Sequence, residues 1–236
     1  MGQWAYPWFD DGTGRDGEAF VRILMLLGAQ GSGKGTQSEQ LEEKFGLVSC
    51  ASGAMLREAI DLGTPVGVLA RPYYDSGKLV PDDLVIGVIL ERLNSLSGAN
   101  GVILDGFPRN RAQAEALDVE LERTGQKIDR VIYLEAPRAL LERRISGRRI
   151  CRAQGHVFNL VTNPPQQADV CDFDGSALYQ REDDKGPAVE RKLDIFFAET
   201  LPLTDYYAQQ GKLLTVDGTQ SIEAVNRQIL AKLRSV

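Results

Sequence analysis

The sequence predicts an α/β protein, a five-stranded parallel sheet wrapped by helices. Three observations lead there. Short apolar runs alternate with longer stretches of helical period, the pattern of a sheet whose strands are joined through helices. The first run leads straight into a glycine-rich loop that opens a helix. A single stretch, Ile150 to about Tyr179, breaks the alternation with turn residues such as Asn163-Pro164-Pro165, and reads as an inserted small lobe. The length of 236 residues suits one core with insertions better than two independent units.

The elements follow in order. Arg22 to Leu27 is the first strand, and Lys34 to Phe45 the helix after the glycine loop. Leu47 to Cys50 is a short second strand leading into a helix from Ala54 to Leu62. Pro81 and Asp82 open a helix over Asp83 to Ser95, with proline in the first turn. Val102 to Leu104 and Arg130 to Leu134 are continuous apolar runs ending in Asp105 and Glu135, as buried strands read. Leu213 to Val216, ending in Asp217, is the fifth strand. Helices over Val189 to Gln209 and Ile222 to Leu233 close the chain.

Composition excludes several classes. Hydrophobic residues at 43% and charged residues at 25% are ordinary for a soluble globular chain. A net charge of −6 argues against a general nucleic-acid or acidic-membrane binder. Runs such as Ile23 to Leu27 and Leu84 to Leu90 fall far short of the roughly 18 apolar residues of a membrane span. Three cysteines, Cys50, Cys151 and Cys171, are too few for a disulfide-built fold. The first twenty residues lack a basic start and an apolar core, so no signal peptide is expected and a cytoplasmic address follows. Trp4, Tyr6, Trp8 and Phe9 read as a mobile or loosely docked extension over residues 1–20.

Gly28 to Thr36 carries the chemistry. Glycines let successive N–H groups converge on phosphate oxygens, the helix N-terminus adds partial positive charge, and Lys34 adds a full one. Gly35 follows the lysine, so the hydroxyl arrives one residue late, at Thr36. A magnesium ion would then be held largely through water and phosphate oxygens, with Asp105 as the outer acid; Asp105 as a turn former is the plainer alternative. Asp105-Gly106-Phe107-Pro108-Arg109 leaves a strand at the ligand edge of the sheet, aiming Arg109 at the same crevice as Lys34. Arg143, Arg144, Arg148, Arg149 and Arg152 form a cationic block in an acidic chain, against the alternative of a solvated face. A helix continuing through Gly147 would put Arg144 and Arg148 on one face. Arg57, Arg181, Arg191 and Lys192 complete the set. Phosphoryl transfer needs such positioning and positive charge rather than a protein nucleophile. The one histidine, His156, lies in the insert, which disfavours a Ser–His–Asp site.

From Arg22 to Leu233 these motifs resemble the adenylate kinases of the long-lid bacterial type. The phosphate loop matches, with Gln30 where proline is usual. Ser52 to Arg57, Gly77 to Asp82, Asp105 to Arg109 with Gln113, Gly147 to Arg149, and Gln180 to Asp184 follow in order and spacing. The resemblance implies a P-loop NTPase type of fold with an inserted helical AMP-binding lobe (51–80) and an inserted lid (147–184). The core would be 21–50, 81–146 and 185–236. It implies reversible transfer from MgATP to AMP giving two ADP, in nucleotide homeostasis and salvage, by a monomer with neither nucleic-acid nor membrane partners. Gly31, Ser32, Gly33, Lys34, Gly35 and Thr36 would cradle ATP's phosphates. Arg144 and the backbone of Gln220 would meet its adenine, Arg148 its phosphates, and Val157 and Phe158 the nucleotide. Ser52, Arg57, Lys78, Leu79, Val80, Gly106, Phe107, Pro108, Arg109 and Gln113 would bind AMP. Arg181 and Lys192 would reach the transferring group from beside it.

Two departures stand out. An acid is usual where Ala54 stands, as an outer partner for magnesium's waters. Arginine is usual where Lys192 stands, contacting phosphate, and lysine lacks its bidentate fork; either Lys192 suffices, Arg191 substitutes after a small helix rotation, or turnover is slow, and slower but real activity is expected. In zinc-bearing members the lid carries C-x2-C and C-x2-C or C-x2-D. Cys151, Gln154, Cys171 and Asp174 occupy that spacing, with His156 or water as a fourth ligand to a structural zinc. A hydrogen-bonded knot around two reduced thiols and a Cys151–Cys171 disulfide are the alternatives. A pyrimidine or GTP-dependent kinase, and a nucleotide-binding regulator without turnover, are the competing functions. The long insert, Gln113 and the retained cations speak against them.

Overall fold

A computed structural model describes residues 23–75, 80–96, 100–181 and 184–235. Five parallel strands lie in the order β2-β3-β1-β4-β8: β1 (Ile23–Leu27), β2 (Val48–Ala51), β3 (Val102–Asp105), β4 (Ile128–Glu135) and β8 (Leu213–Asp217). All five were expected, within two residues at either end. Their unbroken apolar character reflects burial on both faces. In β1, Ile23, Met25 and Leu27 enter one core, shared with Leu117, Leu121, Leu193 and Tyr207. Leu24 and Leu26 enter the other, packed on Leu41, Val225, Ile229 and Leu233.

Helices cover both faces: α1 (Lys34–Phe45), α2 (Ser52–Leu62), α3 (Pro65–Asp75), α4 (Asp82–Ser95), α5 (Arg111–Arg123), α6 (Arg138–Gly147), α7 (Pro187–Ile195), α8 (Leu203–Gln209) and α9 (Ile222–Arg234). Three are capped by side chains: Thr64 Oγ1 accepts from the Gly67 N–H at 3.1 Å, Asn110 Oδ1 from the Gln113 N–H at 2.9 Å, and Ser221 Oγ from the Ala224 N–H at 3.3 Å. Pro81 sits at the N-cap of α4 and not in its first turn, because its ψ of 143° is still extended. The single helix expected over Val189 to Gln209 is broken. After α7 the chain makes a π-helical turn (Phe196–Thr200), and Pro202, which has no N–H to continue the ladder, precedes α8.

The insert is a separate antiparallel sheet in the order β6-β5-β7: β5 (Arg148–Cys151), β6 (Val157–Asn159) and β7 (Leu178–Tyr179). It has its own small core of Cys151, Phe158, Cys171 and Leu178. The helical continuation through Gly147 does not occur. α6 ends there and Arg148 is extended, at φ −68° and ψ 136°, so Arg144 and Arg148 share no helix face. A Cβ on Gly147 would meet Asn159 Oδ1 at 3.3 Å, where the insert packs back on the helix end. Among the described residues no helix is long and apolar enough to cross a membrane. Residues 1–20 lie outside the described residues.

Candidate active site

The glycine loop joins β1 to α1, as its spacing predicted. Two of its glycines are required by geometry. Gly31 has φ +84°, and a Cβ there would lie 3.1 Å from the carbonyl of Leu141 on α6. Gly33 has φ +102° and forms the N-cap of α1 without a side chain, leaving the first-turn amides to an anion. Lys34 curls back over the loop, donating to the carbonyls of Gly28 at 2.9 Å and Ala29 at 3.2 Å. Its Nζ lies 3.9 Å from Asp105 Oδ1 at the end of β3. Burial lowers the Lys34 pKa from the ordinary lysine value; Asp105 opposes the shift, and Arg109 and Arg148 add to it. Two guanidinium groups from distant parts of the chain are therefore close enough to act on one ammonium.

The strand-end segment after β3 is tied down by its own carbonyls. Gly106 O accepts from Ser52 Oγ at 3.1 Å and from Arg109 Nε at 2.8 Å. Gln113 is buried; its Oε1 accepts from the Arg109 N–H at 2.6 Å, while its Nε2 donates to Asp82 Oδ1 at 2.6 Å. Thr200, at the end of the π turn, donates to the Arg109 carbonyl at 2.6 Å. Phe107 is buried beneath, Val80 packs on the same core, and Arg57 is exposed on α2. Lys78 and Leu79 fall outside the described residues, as does the side chain of Ala54.

On the other side, Arg144 is buried and donates to the Gly218 carbonyl at 2.8 Å and the Gly31 carbonyl at 3.4 Å, joining the phosphate loop to the turn after β8. Burial lowers its guanidinium pKa. Gln220 in that turn is exposed, its side chain bound to Asp217 at 2.8 Å. In the insert Val157 is exposed, whereas Phe158 is buried in the lobe's own core.

The residue the sequence reading passed over is Asp184. Its carboxylate is wholly buried. Arg148 grips it bidentately, with Nε on Oδ2 at 2.8 Å and Nη2 on Oδ1 at 2.7 Å. Lys192 Nζ is 3.3 Å from Oδ1. Lys192 points at this carboxylate, whereas Arg191 is exposed. Arg181, three residues before Asp184, is exposed, and its carbonyl accepts the Asp184 N–H at 3.1 Å. The signal for Asp184 was present: a block of arginines in a folded core demands a buried counter-charge.

The metal-spacing residues also converge. One ligand atom each from Cys151, His156, Cys171 and Asp174 lie within 4.8 Å of one another. Cys151 Sγ is 3.2 Å from Asp174 Oδ2, and His156 Nδ1 is 3.3 Å from Cys171 Sγ and 3.6 Å from Asp174 Oδ2. Tetrahedral zinc with bonds of about 2.0–2.3 Å has edges of about 3.3–3.8 Å, which these pairs approach, although the four ligand atoms together spread over 4.8 Å. Gln154 stays exposed and contributes only its N–H, to Cys151 Sγ at 3.3 Å. Cys151 and Cys171 are free thiols, without the disulfide. Burial pushes the Cys151 thiol up, but donors led by Ser176 outweigh it and bring the pKa to about 7.

The adenylate kinase family model matches residues 26–212. The chain belongs to the adenylate kinase family. It is 46% identical over 210 residues to an adenylate kinase of Caldicellulosiruptor bescii, covering 89% of this chain and 98% of that one. Adenylate kinases of Archaeoglobus fulgidus (46% identical, 90% and 98% covered) and Bacillus subtilis (45%, 86% and 93%) are similar to it over nearly the same span. As an adenylate kinase the chain is a phosphotransferase that moves a phosphoryl group from ATP to AMP, giving two ADP.

Proposed function

We propose that this transfer takes place in the crevice at the carboxyl ends of β1 and β3, and that the cations gathered there do the chemical work. The observation that carries the reading is Lys34 folded over the phosphate loop 3.9 Å from Asp105, with the charges of Arg109 and Arg148 near enough to act on its ammonium. AMP's phosphate oxygen is already anionic, so its attack on the γ-phosphorus needs no base. It needs alignment and charge neutralisation as negative charge spreads over the transferring group. The amides of Gly31 to Thr36 hold ATP's phosphates, with Lys34 swinging from the loop carbonyls to the phosphate oxygens. Arg109 comes from the AMP side, Arg148 from the lid side, and Arg181 and Lys192 flank the path.

Arg144, pinned to Gly218, forms a flat support for ATP's adenine, with the Gln220 backbone beside it and Val157 and Phe158 on the lid. Ser52, Arg57, Lys78, Leu79, Val80, Gly106, Phe107, Pro108 and Gln113 form the AMP side. Magnesium, when bound with ATP, neutralises charge on the β- and γ-oxygens; Asp105, partly exposed and at a strand end, suits its water shell. Lobes 51–80 and 147–184 close over the core of 21–50, 81–146 and 185–236, because an open site would pass the phosphoryl group to water. Initial rates of ADP formation from ATP with AMP, GMP, UMP and CMP, repeated with GTP as donor, test the assignment. AMP with ATP should lead by at least tenfold; parity with a pyrimidine acceptor overturns the adenine reading of Gln113.

The lid residues Cys151, His156, Cys171 and Asp174 are proposed to hold a structural zinc, His156 standing in where Gln154 departs from the cysteine pattern. The convergence of their four ligand atoms within 4.8 Å supports this. Purified protein should carry close to one equivalent of zinc; below about a tenth of an equivalent the proposal fails, since a structural site should be filled. The free thiols at Cys50, Cys151 and Cys171 support a reducing, cytoplasmic setting, and a monomer is the state proposed there. Elution of the native protein as a dimer would contradict that state.

A further inference from the structure

Four segments meet at the buried carboxylate of Asp184. Arg148 belongs to the first strand of the insert, Asp184 itself to the chain leaving it, and Lys192 to α7. The fourth is the phosphate loop: Gln30 Nε2 donates to Asp184 Oδ1 at 3.0 Å. The two bonds that come from outside the insert differ in quality. Lys192 at 3.3 Å is longer than the roughly 2.7–2.9 Å of a good charge-assisted bond. Gln30 at 3.0 Å sits at about the usual N–H···O length.

A carboxylate accepts at both oxygens, and once it is buried each unmet lone pair is costly. Arg148 and Lys192 already bring two positive charges to one negative. A neutral amide completes the shell without adding a third. Proline, which the resemblance leads one to expect at this loop position, would offer no such donor.

We propose that Gln30 is a positioning residue for the reaction: through Asp184 it fastens the phosphate loop to the exit of the lid and so holds Arg148 in register with ATP's phosphates. It compensates for the fork that Lys192 lacks. The inference rests on the reading of Arg148 as an ATP-phosphate ligand.

Gln30→Met keeps the length and removes the donor; Gln30→Pro is a second variant in case the first misfolds. In either, KM for ATP should rise about tenfold, the worth of a hydrogen bond to a buried charge. KM for AMP should stay within twofold, while kcat falls along with ATP affinity because Arg148 also serves the transferring group. Adding Lys192→Arg to Gln30→Met should recover most of the lost ATP affinity, since the guanidinium supplies a second N–H to the same carboxylate. A KM for ATP within twofold of the parent in both variants overturns the proposal, as does an equal rise for AMP or no recovery in the double variant. Arg148→Ala separates the two readings. If it leaves KM for ATP unchanged, the ATP-site assignment itself fails. If it raises KM while Gln30→Met does not, the tie alone is wrong.

Discussion

Lys34 concentrates the residue-scale chemistry. Its ammonium is held among two loop carbonyls and one carboxylate, with two guanidiniums nearby. Lys34→Met should leave folding intact and cut kcat by about 100- to 1,000-fold, the usual cost of losing one preorganised charge at a transition state. Burial also makes the amine easier to deprotonate than an ordinary lysine. The charged form binds phosphate, so affinity for ATP should begin to fall at a pH below the usual lysine range and keep falling as pH rises. An ATP-binding profile flat up to that range would contradict the direction. Asp184→Asn removes a buried negative charge from between two cations and should cost about 3–5 kcal/mol of stability by denaturant titration. Asp184→Asn as stable as the parent would mean that the carboxylate is less enclosed than its contacts indicate.

Among the elements, the broken helix after residue 187 links packing to the site. The π turn puts Thr200 on the Arg109 carbonyl, and Pro202 redirects the chain into α8. There Tyr206 donates to Asp118 Oδ2 on α5 at 2.7 Å. Tyr206→Phe should cost about 1 kcal/mol by denaturant titration. Burial, with Asp118 second, pushes the Tyr206 pKa up to about 12 from 10. A folded-state value above the unfolded one stabilises the protein below the unfolded pKa, and that contribution is lost as pH rises from about 10 to 12. The parent should thus lose its advantage over Tyr206→Phe across that window. A constant difference between the two proteins would show that the hydroxyl is not protected. In the insert, a chelator that strips the proposed zinc should lower the melting temperature without unfolding the parallel sheet, because the small core of Cys151, Phe158, Cys171 and Leu178 is separate from the sheet's two cores.

For the whole molecule, two nucleotides bound between lobes act as a clamp on the native state. A linked ATP–AMP bisubstrate at 100 times its Kd should add about 2.7 kcal/mol. At about 2–4 °C per kcal/mol for a chain of this size, the melting temperature should rise by about 5–10 °C. ATP or AMP alone at the same multiple of Kd should match that increment only by filling its own site, so both together should exceed either. An absence of additivity would mean that the two nucleotides compete for one place. Although the chain carries a net charge of −6, Lys34 is held by Asp105, and Arg148 and Lys192 by Asp184, which keeps these cations in place for the proposed handling of polyanions.

The sequence alone determined the sheet and the phosphate loop, because both are written locally. Buried parallel strands need continuous apolar runs, and the loop needs glycines next to a lysine at a strand-to-helix junction. The tertiary structure alone decided which charges meet. Gln30 and Asp184 are 154 residues apart, so no local period links them. His156 reaches the metal-spacing residues through the fold of a small sheet, outside the C-x2-C register. The end of α6 at Gly147, where Asn159 and Val161 of the insert pack back on it, likewise follows from contacts that helix propensity does not encode.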